Sequence, residues 1–211
     1  MTGVIGFIVI AVLVSLGITL PWDEVGLLEV ARFRTPALTR VMQGITTIGG
    51  GDVLAPVGLL FGGWLWFRRS RRAAGHYLGA AVLGWGCYGL LKWVFARPRP
   101  SVVERLDGAG WWSFPSGHAM ASVIVLGLAV VLVTQKRLAW AAVALLVMLI
   151  AFSRVYLGVH YPSDVIAGLF GGVAWIGAAV ALLRAGTDRA LPGRESGTAP
   201  GGQTTGSVGG Q

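Results

Sequence analysis

Apolar residues in this chain gather in long runs, and most of the charge falls between them. Six such runs cover about residues 3–20, 53–67, 73–96, 117–134, 138–156 and 165–183. A bilayer core takes about 20 apolar residues in helix, with about 17 as the practical minimum, so each run meets or approaches a crossing length. The pattern predicts an all-α polytopic membrane protein built as a bundle of six transmembrane helices. Residues 35–48 carry spaced apolar positions, which predicts a short interfacial helix after the first crossing. The first run has no basic residue before it and no clear small-residue cleavage site, so it is expected to be a retained helix. Gly58/Gly62, Gly75/Gly79 and Gly168/Gly172 have the small-xxx-small spacing that lets membrane helices pack closely. From Thr187 onward Gly, Pro, Ser, Thr and Gln dominate, too polar a stretch to order itself. The expected organisation is one transmembrane domain over residues 1–186 and a disordered tail over 187–211.

Composition agrees with a bilayer. The chain is 55% hydrophobic and 12% charged, with a mean hydropathy of +0.71, and its nine Trp suit membrane interfaces. A net charge of +8 raises the question of nucleic acid. That reading needs a basic stripe on a soluble face or a recognised binding motif, and the sequence has neither. The charge sits at helix ends instead: Arg68, Arg69, Arg71 and Arg72 in one run, then Lys136, Arg137, Arg184, Arg189 and Arg194. By the positive-inside pattern these are cytoplasmic, which places both termini in the cytoplasm and the connections 21–52, 97–116 and 157–164 outside. Arg32, Arg34 and Arg40 in the first outer connection weaken this bias without reversing it. The lone Cys87 has no partner for a disulfide and is expected to be a small buried hydrophobe.

An ionisable group near a membrane helix needs a reason, since Arg or Lys at a helix centre costs about 2.5 to 3.5 kcal/mol on insertion scales. Lys92, Arg97, Arg99, Ser116, His118, Ser153, Arg154, His160 and Asp164 all fall at the outward ends of the third to sixth runs. Cations, imidazoles and a carboxylate gathered at one end of a bundle suit an anion, and phosphate in particular. In Pro115-Ser116-Gly117-His118, Ser116 is a natural N-cap, Gly117 allows close backbone approach, and the helix start favours an anion. Pro162 disfavours helix at Tyr161, which puts His160 in a bend just before a helix that starts at Ser163 or Asp164. A carboxylate near that imidazole can fix one ring nitrogen and aim the other. Pro98 and Pro100 end the third helix and hold Arg99 beside the fourth. Asp164 is expected to be the only acidic residue firmly in the site, leaving no metal-ligand set. His76 is expected at the opposite interface, and Trp111 and Trp112 in an outer aromatic belt.

Taken together, Lys92/Arg99/Pro100, Pro115 to His118, and Ser153/Arg154/His160/Asp164 resemble the three signatures of the type-2 phosphatidic acid phosphatase superfamily, eleven identities in the right order and spacing. The resemblance implies a membrane lipid phosphatase that needs no cofactor and no metal. It implies His160 as nucleophile, Asp164 as its orienting carboxylate and His118 as proton donor to the leaving group. Lys92, Arg99, Arg154, Ser116 and the Gly117 amide would hold the phosphate, and Arg97 would either contact a second phosphate or solvate its loop. The implied substrates are prenyl diphosphates such as undecaprenyl diphosphate, phosphatidylglycerol phosphate or phosphatidate, met from the extracytoplasmic side of a bacterial cell membrane. The same signatures resemble vanadium-dependent haloperoxidases, but those are soluble and this chain has too little polar sequence. A catalytically silent lipid-binding or transport protein on the same fold is the alternative, and loss of His118, Arg154 or His160 would have favoured it. Substrate choice and oligomeric state depend on pocket shape and surface, which sequence does not display.

Overall fold

The structure, a computed structural model, describes residues 1–188. The regular secondary structure of the described residues is all helical, with no strand among them. The tail expected from residue 187 lies, but for its first two residues, outside the described residues.

Helix α1 (Thr2–Ser15) is apolar on all sides and packs along α8 (Pro162–Asp188). Its 14 residues rise about 21 Å, short of the ~30 Å hydrocarbon core. The run read as one crossing over 3–20 therefore ends early. Gly17 takes φ +73° and Pro21 sits in the first turn of α2 (Leu20–Ala31), so the chain turns by 97° between the two helices. Sequence reading placed α2 in a connection. Its mixed face nonetheless buries Leu27 in a cluster with Ala119, Ala151, Val155, Tyr161 and Val165.

Helix α3 (Pro36–Ile48) fills the segment expected to be a short helix, capped by Thr35, whose hydroxyl accepts the Leu38 N–H at 3.2 Å. It joins α4 (Gly51–Arg68) through Gly49 and Gly50 at a bend of 41°. Ser70 caps α5 (Arg71–Phe95), which packs along α4 and ends where Ala96 adopts a left-handed conformation ahead of Arg97-Pro98-Arg99-Pro100. Helix α6 (Gly117–Val133) contains a π-helical turn at Val123–Gly127, and α7 (Arg137–Tyr156) runs back to the bend before α8.

Among the described residues α5, α7 and α8 are long and apolar enough to cross a membrane. The bent pairs α1–α2 and α3–α4 raise the number to five if each is one span, while α6 is shorter than a full span. Two of the three glycine spacings meet another helix. A Cβ on Gly168 would stand 2.7 Å from the Ser116 carbonyl oxygen, and one on Gly172 would meet Val123, so α6 and α8 touch at backbone distance. Gly62 likewise faces Leu78, whereas Gly75 and Gly79 face open space. That close contact of α6 with α8 places the Ser116–His118 turn against the start of α8, where His160 and Asp164 lie.

Candidate active site

A cavity of about 180 Å³ opens between the ends of α4, α5, α6 and α7. Lys92, Arg99, Gly117, His118, Arg154 and His160 all line it, so six of the residues singled out by the motifs share one space. They arrive from separate elements: Lys92 from the last turn of α5, Arg99 from the Pro-stiffened exit, Gly117 and His118 from the start of α6, Arg154 from the end of α7. His160 comes from the bend, and α8 begins at Pro162, two residues earlier than the latest predicted start.

His160 is buried between two partners. Its Nδ1 lies 3.4 Å from Asp164 Oδ2, and its Nε2 lies 3.2 Å from Arg99 Nη1. A guanidinium only donates, so Nε2 is the accepting nitrogen and the ring proton belongs on Nδ1, toward the carboxylate. Burial lowers the His160 pKa well below its ordinary value, and the cations Arg99, Lys92 and Arg154 push the same way. The ring is therefore neutral at neutral pH and presents a lone pair to the cavity.

Asp164 is fully buried and has partners on both oxygens. Oδ2 accepts the Tyr161 N–H at 2.9 Å, and Oδ1 accepts from Arg97 at 2.6 Å. Arg97 also donates to Ser163 Oγ at 2.8 Å and to Asp23 Oδ2 at 2.8 Å, and its guanidinium stacks 4.1 Å from the Tyr161 ring centre. It is thus turned away from the cavity, and neither role expected of it, second-phosphate contact or loop solvation, matches this geometry. A cation can sit there because two buried carboxylates surround it. Burial works against its charge, but Asp164 and Asp23 outweigh that and raise its pKa.

The cavity cations are held differently. Lys92 Nζ donates to the carbonyls of Trp112 at 2.9 Å and Ser113 at 3.3 Å. Arg99 donates to Gly110 O at 2.5 Å and Val159 O at 2.6 Å, and burial followed by repulsion from Arg154 lowers its pKa to about 10, still charged at neutral pH. Arg154 Nη1 reaches Thr46 Oγ1 and Asp107 Oδ2, each at 2.5 Å, while its Nε is buried with no partner. Asp164 is therefore not the only acidic side chain at the site, because Asp107 pairs with Arg154 and Asp23 lies behind Arg97. Among the described residues, though, no three His, Cys, Asp or Glu side chains come together as a metal-ligand set.

His118 makes no hydrogen bond among the described residues, and its ring rests on the Gly49–Gly50 turn, where a Cβ at Gly49 would stand 3.3 Å from Cδ2. Ser116 occupies the N-cap position of α6, yet its hydroxyl does not cap the helix and is buried without a partner. Its backbone N–H donates instead to Asp164 O at 2.9 Å, tying the two motifs together. His76 lies away from the cavity, its Nε2 2.6 Å from Ala179 O between α5 and α8. Trp111 is exposed, and Trp112 contributes its carbonyl to Lys92. Asp23, Thr46 and Asp107 were missed because no spacing links them to the motifs.

The model of the PAP2 superfamily matches residues 73–187, more than half of the chain. Among curated proteins, phosphatidylglycerophosphatase B of Bacillus subtilis is 29% identical over 172 residues, covering 77% of this chain and 83% of that one. Undecaprenyl-diphosphatase of Sulfolobus acidocaldarius is 42% identical over a shorter stretch, 31% of this chain and 30% of the relative. The fold is similar to the crystal structure of a transmembrane PAP2 type phosphatidylglycerolphosphate phosphatase from Bacillus subtilis, with TM-score 0.81 at 24% identity over 87% of this chain and 94% of that one. Aquifex aeolicus LpxE gives TM-score 0.62 at 27% identity over 74% of this chain and 92% of the other.

Proposed function

The chain belongs to the PAP2 superfamily, and on that premise we propose that it is a metal-independent membrane phosphatase that hydrolyses a lipid phosphate or diphosphate through a phosphohistidine. The observation that carries this is His160, neutral, with Nδ1 on Asp164 and Nε2 beside Arg99 in a cavity that also holds Lys92, Arg154 and His118.

The substrate phosphate enters among Lys92, Arg99 and Arg154, with the Ser116 hydroxyl and the Gly117 amide adding donors. As Arg99 turns from Nε2 to a phosphoryl oxygen, the Nε2 lone pair is released to attack phosphorus. The P–O bond to the lipid breaks, and His118 gives its proton to the departing oxygen. Asp164 accepts the Nδ1–H and stabilises the charge that develops on the ring. Water then attacks the phosphohistidine, losing its proton to His118, and inorganic phosphate leaves with Nε2 restored. Phosphoryl transfer asks mainly for positioning and charge stabilisation, which three cations and a helix start supply here.

The substrate is a prenyl diphosphate, phosphatidylglycerol phosphate or phosphatidate, the first two being the chemistry in the names of the relatives. Its chain lies along the apolar wall of Trp85, Tyr88 and Ala121. The protein crosses the membrane six times, α1 and α6 serving as short crossings and α2 and α3 lying toward the outer interface, with both termini cytoplasmic and the cavity facing outward. The test is phosphate release from a panel of these lipids by the detergent-solubilised protein with EDTA present, alongside His160→Ala. Release that survives EDTA and vanishes in the variant is expected. Release from none of the lipids, or release unchanged in the variant, would move the assignment to a silent binding or transport role on this fold.

A further inference from the structure

The best-connected polar group near the cavity is one the proposed reaction leaves idle. Arg97 is 11% exposed, between Asp23 at 3% and Asp164 at 0%. Asp23 reaches it from α2 and also takes the Ser163 N–H at 2.9 Å and the Ser163 hydroxyl at 2.5 Å. Ser163 in turn accepts from Arg97 at 2.8 Å. Asp23, Arg97 and Ser163 thus form a closed triangle joining α2, the exit of α5 and the first turn of α8, and its free edge is the contact of Arg97 with Asp164 Oδ1.

We propose that Arg97, fixed by Asp23, is a positioning residue that keeps Asp164 ionised and turned toward His160 Nδ1. This deepens the phosphohistidine reading and rests on it. A buried carboxylate with only neutral partners, here the Tyr161 N–H, the Ser113 hydroxyl and an imidazole, tends to take up a proton, and an opposite charge at hydrogen-bond distance prevents this. A protonated Asp164 is a weaker acceptor for Nδ1–H and can itself donate, so His160 would lose its preference for the tautomer that leaves Nε2 bare. Asp23 gives the guanidinium a second anion, so that Arg97 cannot swing toward the phosphate, and the triad carries a net negative charge to meet the phosphohistidine. Helix α2 thereby becomes part of the catalytic architecture although it contributes nothing to the cavity wall.

The test is the pH profile of kcat for Arg97→Gln, Arg97→Lys, Asp23→Asn and His160→Ala in the full chain. The charged and titratable groups around the pair are Arg97, Asp23 and Tyr161 behind Asp164. In front of His160 they are Arg99, Lys92, Arg154 and His118, which all four variants retain. Removing the guanidinium in Arg97→Gln is expected to move the acid limb of kcat to higher pH by about 1 to 3 units, the range for a carboxylate losing an adjacent cation. Arg97→Lys keeps the charge and should keep the limb near that of the parent. Asp23→Asn, which takes away the second anion that fixes Arg97, should lower kcat and raise the limb by less than Arg97→Gln does. A variant that merely folds in part would scale kcat equally at every pH and leave the limb in place. An unmoved limb in Arg97→Gln, or the same shift in Arg97→Lys, would overturn the proposal while leaving the nucleophile intact, whereas activity in His160→Ala would overturn the phosphohistidine reading itself.

Discussion

The two sides of His160 are built on opposite plans. Behind the ring, Asp23, Arg97 and Asp164 pair carboxylate, guanidinium and carboxylate, with side-chain exposures of 3%, 11% and 0%. In front, Lys92 meets the carbonyls of Trp112 and Ser113, Arg99 meets those of Gly110 and Val159, and the buried Arg154 meets the Thr46 hydroxyl and a single carboxylate, Asp107, whose side chain is 30% exposed. Buried charges that pair with each other are costly to disturb, since removing one partner costs about 3 to 5 kcal/mol and leaves the other stranded. Cations facing carbonyls and one partly exposed carboxylate are not locked between two buried counter-ions, and a phosphate can take the place of those partners as a charge-assisted acceptor. The rigid side holds the nucleophile, and the exchangeable side receives the substrate.

The comparison breaks most visibly at Asp164. Asp164→Asn keeps the shape but can no longer hold the Nδ1–H tautomer, and kcat should fall by about 10⁴-fold, as when the carboxylate of a serine protease triad is amidated. A loss below about tenfold in steady-state assays would mean that the rear network is structural only. A smaller effect sharpens the front. Asp107→Asn removes the one carboxylate that competes with phosphate for Arg154, so inhibition by orthovanadate should tighten roughly fivefold, equivalent to about 1 kcal/mol for a partly exposed pair. Weaker inhibition would mean that Asp107 orients Arg154 for the substrate.

The last effect is on stability and leaves turnover aside. His160 is held neutral well below the usual imidazole range, whereas in the unfolded chain it takes a proton near pH 6.5. The unfolded state therefore binds more protons below that pH, and stability, complete above about 6.5, declines as the pH falls toward the folded pKa. The slope is at most about 1.4 kcal/mol per pH unit. Apparent Tm in detergent, followed by tryptophan fluorescence, should drop between pH 6.5 and 5, and the drop should be shallower in His160→Gln. Equal slopes would show that the imidazole is already solvated.

The front side was largely legible in the sequence and the rear side was not. Lys92, Arg99, His118, Arg154 and His160 sit at fixed spacings beside Pro and Gly residues that set local geometry, and all of them reach one cavity. Asp23 lies 74 residues from Arg97 and Asp107 lies 47 from Arg154, so only tertiary packing brings them in. The same holds for the helices. The runs behind α4, α5, α7 and α8 predicted those helices to within a few residues at most ends, because apolar length alone determines them. The 97° turn after Ser15 depends on Gly17 adopting positive φ, and an apolar run does not reveal that. Arg97, just ahead of Arg99, was open in the sequence between a second-phosphate contact and a loop cation, and a carboxylate from an unanticipated helix, Asp23, pairs with it instead.

Rapid acid-free quench of the protein turning over a lipid labelled with ³²P at its terminal phosphate, followed by peptide mapping, tests the central claim most directly. The account predicts label on the peptide containing His160, stable to alkali and lost in acid, formed in the presence of EDTA and absent from His160→Ala. Turnover with no covalent label on that peptide, or label that persists in His160→Ala, would contradict it.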